Sequence, residues 1–280
     1  MKKLFLYILI ISSLVFGFNI NAAVDDAYTM SLLHCDGTDA STTFTDESGK
    51  TVTEGGNAQI DTARQKFGSA SGLFDGNGDN LTWSDSADFS PGTGAFTIDG
   101  WIYQTSNNSY STLIDLRGSD VNSLNDVTFL VNWGTDRYVV LYGGQNAPGY
   151  TFSSLNALPQ NEWVHIAIVG NGGASGSRNM KFYINGTLAG TATGDYDLNR
   201  GELSVGGPNG YNTTFGFVGS VDEFRFSKGI QRWTTDFTPP TSAYAPAGNI
   251  KSLNGTTYPT AVKSRNGILQ SVINYINGIK

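Results

Sequence analysis

Along most of this chain, short runs of apolar and polar residues alternate with a period of two. Phe96, Ile98 and Ile102 alternate with Thr97, Asp99 and Tyr103, which predicts a strand with one buried face. Similar runs read as strands at Tyr28–Cys35, Asn80–Trp83, Thr112–Leu116, Val127–Trp133, Tyr138–Tyr142, Glu162–Val169, Met180–Ile184, Leu188–Thr193, Glu202–Val205 and Phe217–Phe226. Gly, Asn, Asp, Ser or Pro bounds each of them. Asn185-Gly186 separates two apolar runs and predicts a tight hairpin. No convincing long helix appears before Pro240. So many short strands predict an all-β fold, two packed antiparallel sheets in a jelly-roll sandwich.

The ends of the chain break this pattern. Lys2 and Lys3 precede an uncharged, Leu/Ile/Phe-rich run from Leu4 to Phe18, and small residues follow to Ala23. This reads as a signal peptide over residues 1–23, which implies secretion or display at a cell surface. The run is shorter than the ~20 residues of a membrane-spanning helix, and no later segment is apolar enough to span. Residues 24–246 form the predicted sandwich. Pro239, Pro240 and Pro246 mark a linker, and residues 247–280 form a tail with a repeat. Ile250-Lys251-Ser252-Leu253-Asn254-Gly255 recurs as Val262-Lys263-Ser264-Arg265-Asn266-Gly267, with a looser copy at Ile273–Gly278. Short strands ending in Asn-Gly turns explain the repeat, although the last copy also fits an amphipathic helix. Such a tail serves either self-assembly and attachment to another protein, or nothing beyond a flexible end.

Composition narrows the function. Of 280 residues, 35 are Gly and only 15% are charged, which excludes helical bundles, coiled coils and charged disordered chains. Lys+Arg 17 against Asp+Glu 24 give a net charge of −7. No acidic residue follows Asp236, whereas Lys251, Lys263, Arg265 and Lys280 do, so the body is acidic and the tail basic. An acidic body disfavours nucleic acid and anionic membranes. The single cysteine, Cys35, forbids an internal disulfide and reads as a buried strand thiol.

Five segments carry a resemblance. They are Leu73-Phe74-Asp75-Gly76 with Gly78-Asp79-Asn80-Leu81; Phe96-Thr97-Ile98-Asp99-Gly100-Trp101-Ile102-Tyr103; Trp163-Val164-His165-Ile166-Ala167; Phe182-Tyr183-Ile184-Asn185-Gly186-Thr187-Leu188; and Gly219-Ser220-Val221-Asp222-Glu223-Phe224-Arg225-Phe226. In this order, across Thr29 to Tyr244, they resemble the laminin-G-like domains of the concanavalin A-like lectin/glucanase superfamily. The resemblance implies a jelly-roll sandwich and leaves the ligand open, since that fold hosts lectins, adhesion modules and glycosidases.

The glycosidases of that superfamily carry Glu-x-Asp-x-x-Glu on one strand, and this chain has no such motif. Retaining hydrolysis needs two carboxyls about 5 Å apart. Asp222 and Glu223 are adjacent, so strict strand alternation sends them to opposite faces. Only His34 and His165 are available for a triad, and no Gly-x-Ser-x-Gly elbow precedes a helix. The expectation is a binding protein without catalytic residues. His165 reads as a base or ligand, or else as a strand histidine hydrogen-bonded inside the sandwich. Trp101 and Trp163 read as filling the space between the sheets.

Two cation sites come into question. Asp75-x-Asn77-x-Asp79 has the alternate oxygen ligands of a calcium loop, but its twelfth position is Ser86 rather than Glu; the other reading is a polar turn. The resemblance implies neighbouring first and last strands, which would bring Asp36 and Asp46 near Asp222, where some relatives hold a structural Ca2+. For a sugar, the densest group of aromatic and planar polar residues is Trp133, Arg137, Tyr138 and Tyr142. The alternative for that face is packing on the opposite sheet. The sequence thus reads as a secreted carbohydrate- or glycoconjugate-binding module, the other reading being a structural or adhesive particle protein assembled through its tail.

Overall fold

The computed structural model describes residues 27–106, 110–117, 127–131, 140–143, 152–153, 157–193, 196–209, 213–245, 252–253 and 256–257. In chain order the strands are β1 (Thr29–Leu33), β2 (Val52–Gly55), β3 (Gln59–Asp61), β4 (Ser71–Asp75), β5 (Asn80–Trp83), β6 (Ala95–Gln104), β7 (Thr112–Asp115) and β8 (Val127–Leu130). They continue as β9 (Val140–Gly143), β10 (Phe152–Ser153), β11 (Trp163–Asn171), β12 (Asn179–Ile184), β13 (Thr187–Thr193), β14 (Leu203–Val205) and β15 (Val218–Lys228). Two further short strands, β16 (Ser252–Leu253) and β17 (Thr256–Thr257), pair with each other.

One sheet has eight strands in the order β13-β12-β11-β6-β15-β4-β3, with β1 also paired to β15. The other has seven, in the order β10-β9-β8-β7-β14-β5-β2. All the strand pairs are antiparallel. The eleven runs read from alternation are all present, with ends shifted by a few residues. Sequence reading missed β2, β3 and β10, which are too short to show a period, and treated β4 only as part of a strand-turn.

Between the sheets, Phe96, Ile98, Ile102, Val164, Ile166 and Phe224 of the larger sheet meet Leu81, Trp83, Ile114, Phe129, Leu203 and Val205 of the smaller one in a single apolar core. Trp83 lies against Phe224 with ring centroids 6.0 Å apart, and Phe89 meets Phe226 edge-on at 5.4 Å. Cys35 is buried and unbonded just after β1. The Asn185-Gly186 hairpin forms as predicted, with φ of 49° and 77° at its two central residues. Gly186 has a second reason to be glycine, because a Cβ there would sit 1.9 Å from the carbonyl oxygen of Phe237.

The outer face of the larger sheet departs from the expectation of a polar, solvated surface. Thr97, Asp99, Trp101, His165 and Arg225 lie on it, and all are buried. Two segments cover it, the loop between β3 and β4 and the chain that follows β15. In the second of these, Trp233 stacks on Phe237 at 4.0 Å, and the pair packs with Ala167, Val169 and Tyr183. Trp101 is therefore buried outside the inter-sheet core, contrary to the sequence reading. His165 is hydrogen-bonded, but beneath this strap rather than inside the sandwich.

Five side chains clasp the strap to the sheet. Asp99 and Arg225 face each other across β6 and β15 in register, and the Arg225 Nε and Nη2 groups donate to the two Asp99 oxygens at 3.0 and 2.9 Å. The Tyr244 hydroxyl donates to Asp99, while its ring lies under the Arg225 guanidinium at 4.2 Å. The Tyr244 backbone N–H donates to Glu223 at 2.7 Å. His165 Nε2 lies 3.2 Å from the Tyr244 hydroxyl, as a ring N–H donating to that oxygen. Burial alone would push the Asp99 pKa up, but Arg225 and His165 bring it well below the usual carboxylate range. Burial likewise pushes the His165 pKa down.

A β-bulge makes room for Glu223. From Asp222 to Arg225 on β15 the chain advances three residues while β6 advances two, and Glu223 has φ of 53°. The extra residue breaks strict alternation. Glu223 thereby reaches His34 and Tyr244 on the outer side, the side on which Asp222 also makes its bonds.

Tyr244→Phe removes the hydroxyl that serves both Asp99 and His165. It is expected to destabilise the fold by about 1–3 kcal/mol in urea denaturation. A change below about 0.5 kcal/mol would be that of an ordinary surface position and would contradict the clasp.

Candidate functional site

The site follows from how the β3–β4 loop is held. Asp222 is fully buried, and its Oδ2 accepts the backbone N–H groups of Lys66 at 2.7 Å and Phe67 at 3.0 Å. Asp36 accepts from the backbone N–H groups of Ser69 and Ala70 and from the Ser69 hydroxyl. The Ser71 hydroxyl donates to the carbonyl of Arg64 at 2.6 Å. Two carboxylates, one just after the first strand and one on β15, thus pin the middle and the C-terminal end of one loop. The neighbouring first and last strands implied by the resemblance are present, because β1 pairs with β15.

Asp46, the third carboxylate read as a cation ligand, lies elsewhere. Its oxygens accept from the Ser31 hydroxyl, the Leu32 and Ser48 N–H groups and the Trp83 indole N–H, which ties β1 to β5 of the opposite sheet. Asp46 thus bonds a different set of partners from Asp36 and Asp222, while Asp222 Oδ1 is buried with no hydrogen-bond partner among the described residues. Among the described residues no three His, Cys, Asp or Glu side chains are grouped to hold a metal ion. The Asp75–Asp79 segment is a turn. Asp75 accepts from the Asn77 N–H, and Asp79 accepts from the N–H groups of Asn57 and Asp75.

The pinned loop lies antiparallel along β6 and lays two cations on its aromatic residues. The Arg64 guanidinium sits 4.2 Å from the centre of the Tyr103 ring, and the Lys66 ammonium 3.8 Å from that of Trp101. Phe67 meets Trp101 edge-on at 5.9 Å. Across the strand pair, Trp163 meets Tyr103 edge-on at 5.6 Å. Trp101 is buried, but Arg64, Lys66, Tyr103 and Trp163 are each partly exposed. Trp163 therefore does not fill the inter-sheet space as read from sequence. Arg64 Nη1 donates to the Ser220 hydroxyl at 3.3 Å, which fixes the plane of the guanidinium. Burial lowers the Lys66 pKa, and the nearby Asp222 opposes that shift. The result is a rigid surface of aromatic rings and a stacked guanidinium, suited to ligands with apolar faces and polar edges.

Of the residues read from sequence as sugar contacts, Trp133, Arg137 and Tyr138 lie outside the described residues. Tyr142 occupies β9 in register with Thr128 of β8, so the two strands are neighbours. Sequence reading missed Arg64 and Lys66, since their loop carries no motif, and only the register of β6 brings them over aromatic rings. On the seven-stranded sheet, Asp115 and Arg117 form a buried bidentate pair at 2.8 and 2.9 Å.

Asp222 and Glu223 are the nearest approach to an acid–base pair. Burial, with a smaller push from Glu223, drives the Asp222 pKa up to about 7. Both carboxyls are buried beneath the covering segments, where no substrate reaches them. A cavity of about 10 Å3 between the sheets is lined by Ile102, Leu113, Ile166, Val221 and Phe224. It is water-sized and apolar.

Two antiparallel sheets packed as a jelly-roll sandwich define a concanavalin A-like fold. The sequence profile of the laminin-G type within the concanavalin A-like lectin/glucanases superfamily matches residues 75–230, over half of the chain, and the chain belongs to that superfamily. No curated protein matches it. Among solved structures, domain 4 of AbnA, a GH43 extracellular arabinanase from Geobacillus stearothermophilus in complex with arabinotriose, aligns at TM-score 0.54 and 18% identity over 74% of this chain and 95% of that one. A Trypanosoma rangeli sialidase in complex with sialic acid gives 0.54 and 14% over 75% of this chain and 32% of the sialidase. The receptor binding domain of botulinum neurotoxin type G gives 0.50 and 16% over 73% of this chain and 49% of that one. At these identities the likeness is one of fold. No helix among the described residues is long and apolar enough to cross a membrane.

Asp222 gives this site a pH signature. A carboxyl with its pKa raised by folding stays protonated in the native state between about pH 4 and pH 7, while the unfolded chain has lost that proton. Its contribution to stability is therefore present below pH 4 and declines as pH rises to 7. Asp222→Asn keeps an acceptor for the Lys66 and Phe67 amides and removes the titration. Thermal melts from pH 4.5 to 8 should show the variant gaining stability relative to wild type as pH rises; a constant difference would contradict the assignment.

Proposed function

We propose that this protein is a secreted, non-catalytic module that binds carbohydrate or glycoconjugate. The carrying observation is the partly exposed Tyr103–Trp163 pair beside the Arg64 guanidinium, on strands whose other face is locked into the core. Sugar rings present C–H faces that pack on aromatic surfaces, and hydroxyl edges that accept from planar donors. The surface is built before any ligand arrives, so little ordering entropy opposes binding. The superfamily, and the sugars named with the arabinanase domain and the sialidase, support the same reading. The N-terminal apolar run supports export.

The buried positions of Asp222 and Glu223 support binding without turnover, since hydrolysis needs two carboxyls flanking an accessible glycosidic bond. Calcium is left out of this proposal, because the three carboxylates first considered for it already hold loops and strands together.

A glycan array probed with the full chain is expected to show saccharide binding, weakened at least tenfold by Trp163→Ala combined with Tyr103→Ala. Absence of binding to any saccharide, or a double variant that binds as well as wild type, would overturn the proposal.

A further inference from the structure

We infer that the Arg64–Lys66 surface selects saccharides that carry a carboxylate, an inference that rests on the glycan-binding reading above. The argument begins with what happens to cations in an acidic chain. Asp and Glu outnumber Lys and Arg, 24 to 17. Several cations acquire carboxylate partners in such a protein. Lys50 pairs with Asp88 at 3.0 Å, Arg117 with Asp115 at 2.8 Å and Arg225 with Asp99 at 2.9 Å. Arg64 and Lys66 do not. Among the described residues Arg64 donates only to the Ser220 hydroxyl, and Lys66 makes neither an ion pair nor a side-chain hydrogen bond. The carboxylate nearest to Lys66 in the chain's own design, Asp222, is turned to the loop's backbone instead.

Both cations are held rather than left to wander. The loop's amides are fixed by Asp222 and Asp36, and each cation rests on an aromatic face. Cation–π contact of this kind restrains the side chain. The Arg64 guanidinium over Tyr103 spends one N–H on Ser220, and its other N–H groups suit a carboxylate in two parallel hydrogen bonds. Trp101 and Tyr103 are two residues apart on one strand, so Lys66 and Arg64 stand about 7 Å apart along it. One carboxylate can thus bond Arg64 while Lys66 adds charge from the side, and Trp163 lies within the same surface to meet a sugar's C–H face. A neutral sugar would leave two positive charges unmatched at the contact, whereas an acidic sugar answers both. The net negative charge of the body opposes any polyanion broadly, which favours a saccharide with isolated acidic groups that engages this one basic spot.

The test is an array of saccharides containing uronic or nonulosonic acids, each printed beside its carboxyl-reduced counterpart and probed with the full chain. The expected result is binding to acidic members at least tenfold tighter than to their reduced forms, weakening between 50 and 500 mM NaCl as a charge contact must. Arg64→Gln combined with Lys66→Gln is expected to bring the acidic forms down to the level of the reduced ones, with a melting temperature near that of wild type showing that the variant is folded. Equal binding of acidic and reduced forms, or an acid preference that survives in the double variant, would overturn this inference and leave glycan binding standing. Binding to neither form would overturn both.

Discussion

The central strands of the larger sheet bury side chains on both faces, and that constraint shapes everything else. Antiparallel sheets in sandwiches ordinarily give one face to the core and the other to water. Here the outer face carries Asp99 and Arg225 in the middle of the two longest strands, with no water to solvate them. A buried ion pair is tolerated only when its geometry is good and its remaining bonding capacity is met. The bidentate Arg225 contact supplies the first condition, and Tyr244, delivered by the strap after β15, supplies much of the second. The strap is therefore a component of the fold. Its apolar part, Trp233 and Phe237, could not by itself specify where the chain lies, whereas a hydroxyl that must meet Asp99 and an amide that must meet Glu223 fix the register.

The same logic operates on the β3–β4 loop and leads to the proposed function. Carboxylates of this superfamily's first and last strands suggest a cation from sequence alone. In this chain Asp36 and Asp222 bind backbone N–H groups, and so do with hydrogen bonds what a bound ion would do by coordination: they stiffen a loop. Stiffening that loop places Arg64 and Lys66 on the aromatic residues of β6. The placement of Arg64 and Lys66 then depends on one buried acid, Asp222, and one exposed acid, Asp36.

Much of the fold was legible because it rests on period-two alternation and turn chemistry, which are local. Phe96–Tyr103, the Asn185-Gly186 hairpin and the closing strand around Asp222 follow from residue order alone. The errors have one physical origin. Alternation says which residues share a face, but not what covers that face, so Trp101 and Trp163 were taken for inter-sheet residues when they belong to the outer side. The bulge at Glu223 shifts one residue against the period, and nothing in Asp222-Glu223-Phe224-Arg225 announces it. Arg64 and Lys66 escaped notice for a related reason, since their role depends on a loop crossing a strand some forty residues away in sequence.

Native-state hydrogen exchange at single-residue resolution tests the central claim most directly. If buried carboxylates make both covering segments part of the cooperative fold, the amides of Lys66, Phe67 and Tyr244 should exchange only through global unfolding, with the same free energy as amides in the middle of β6 and β15. Exchange of those three amides a thousandfold faster than the strands, as expected for loops that open independently, would contradict it.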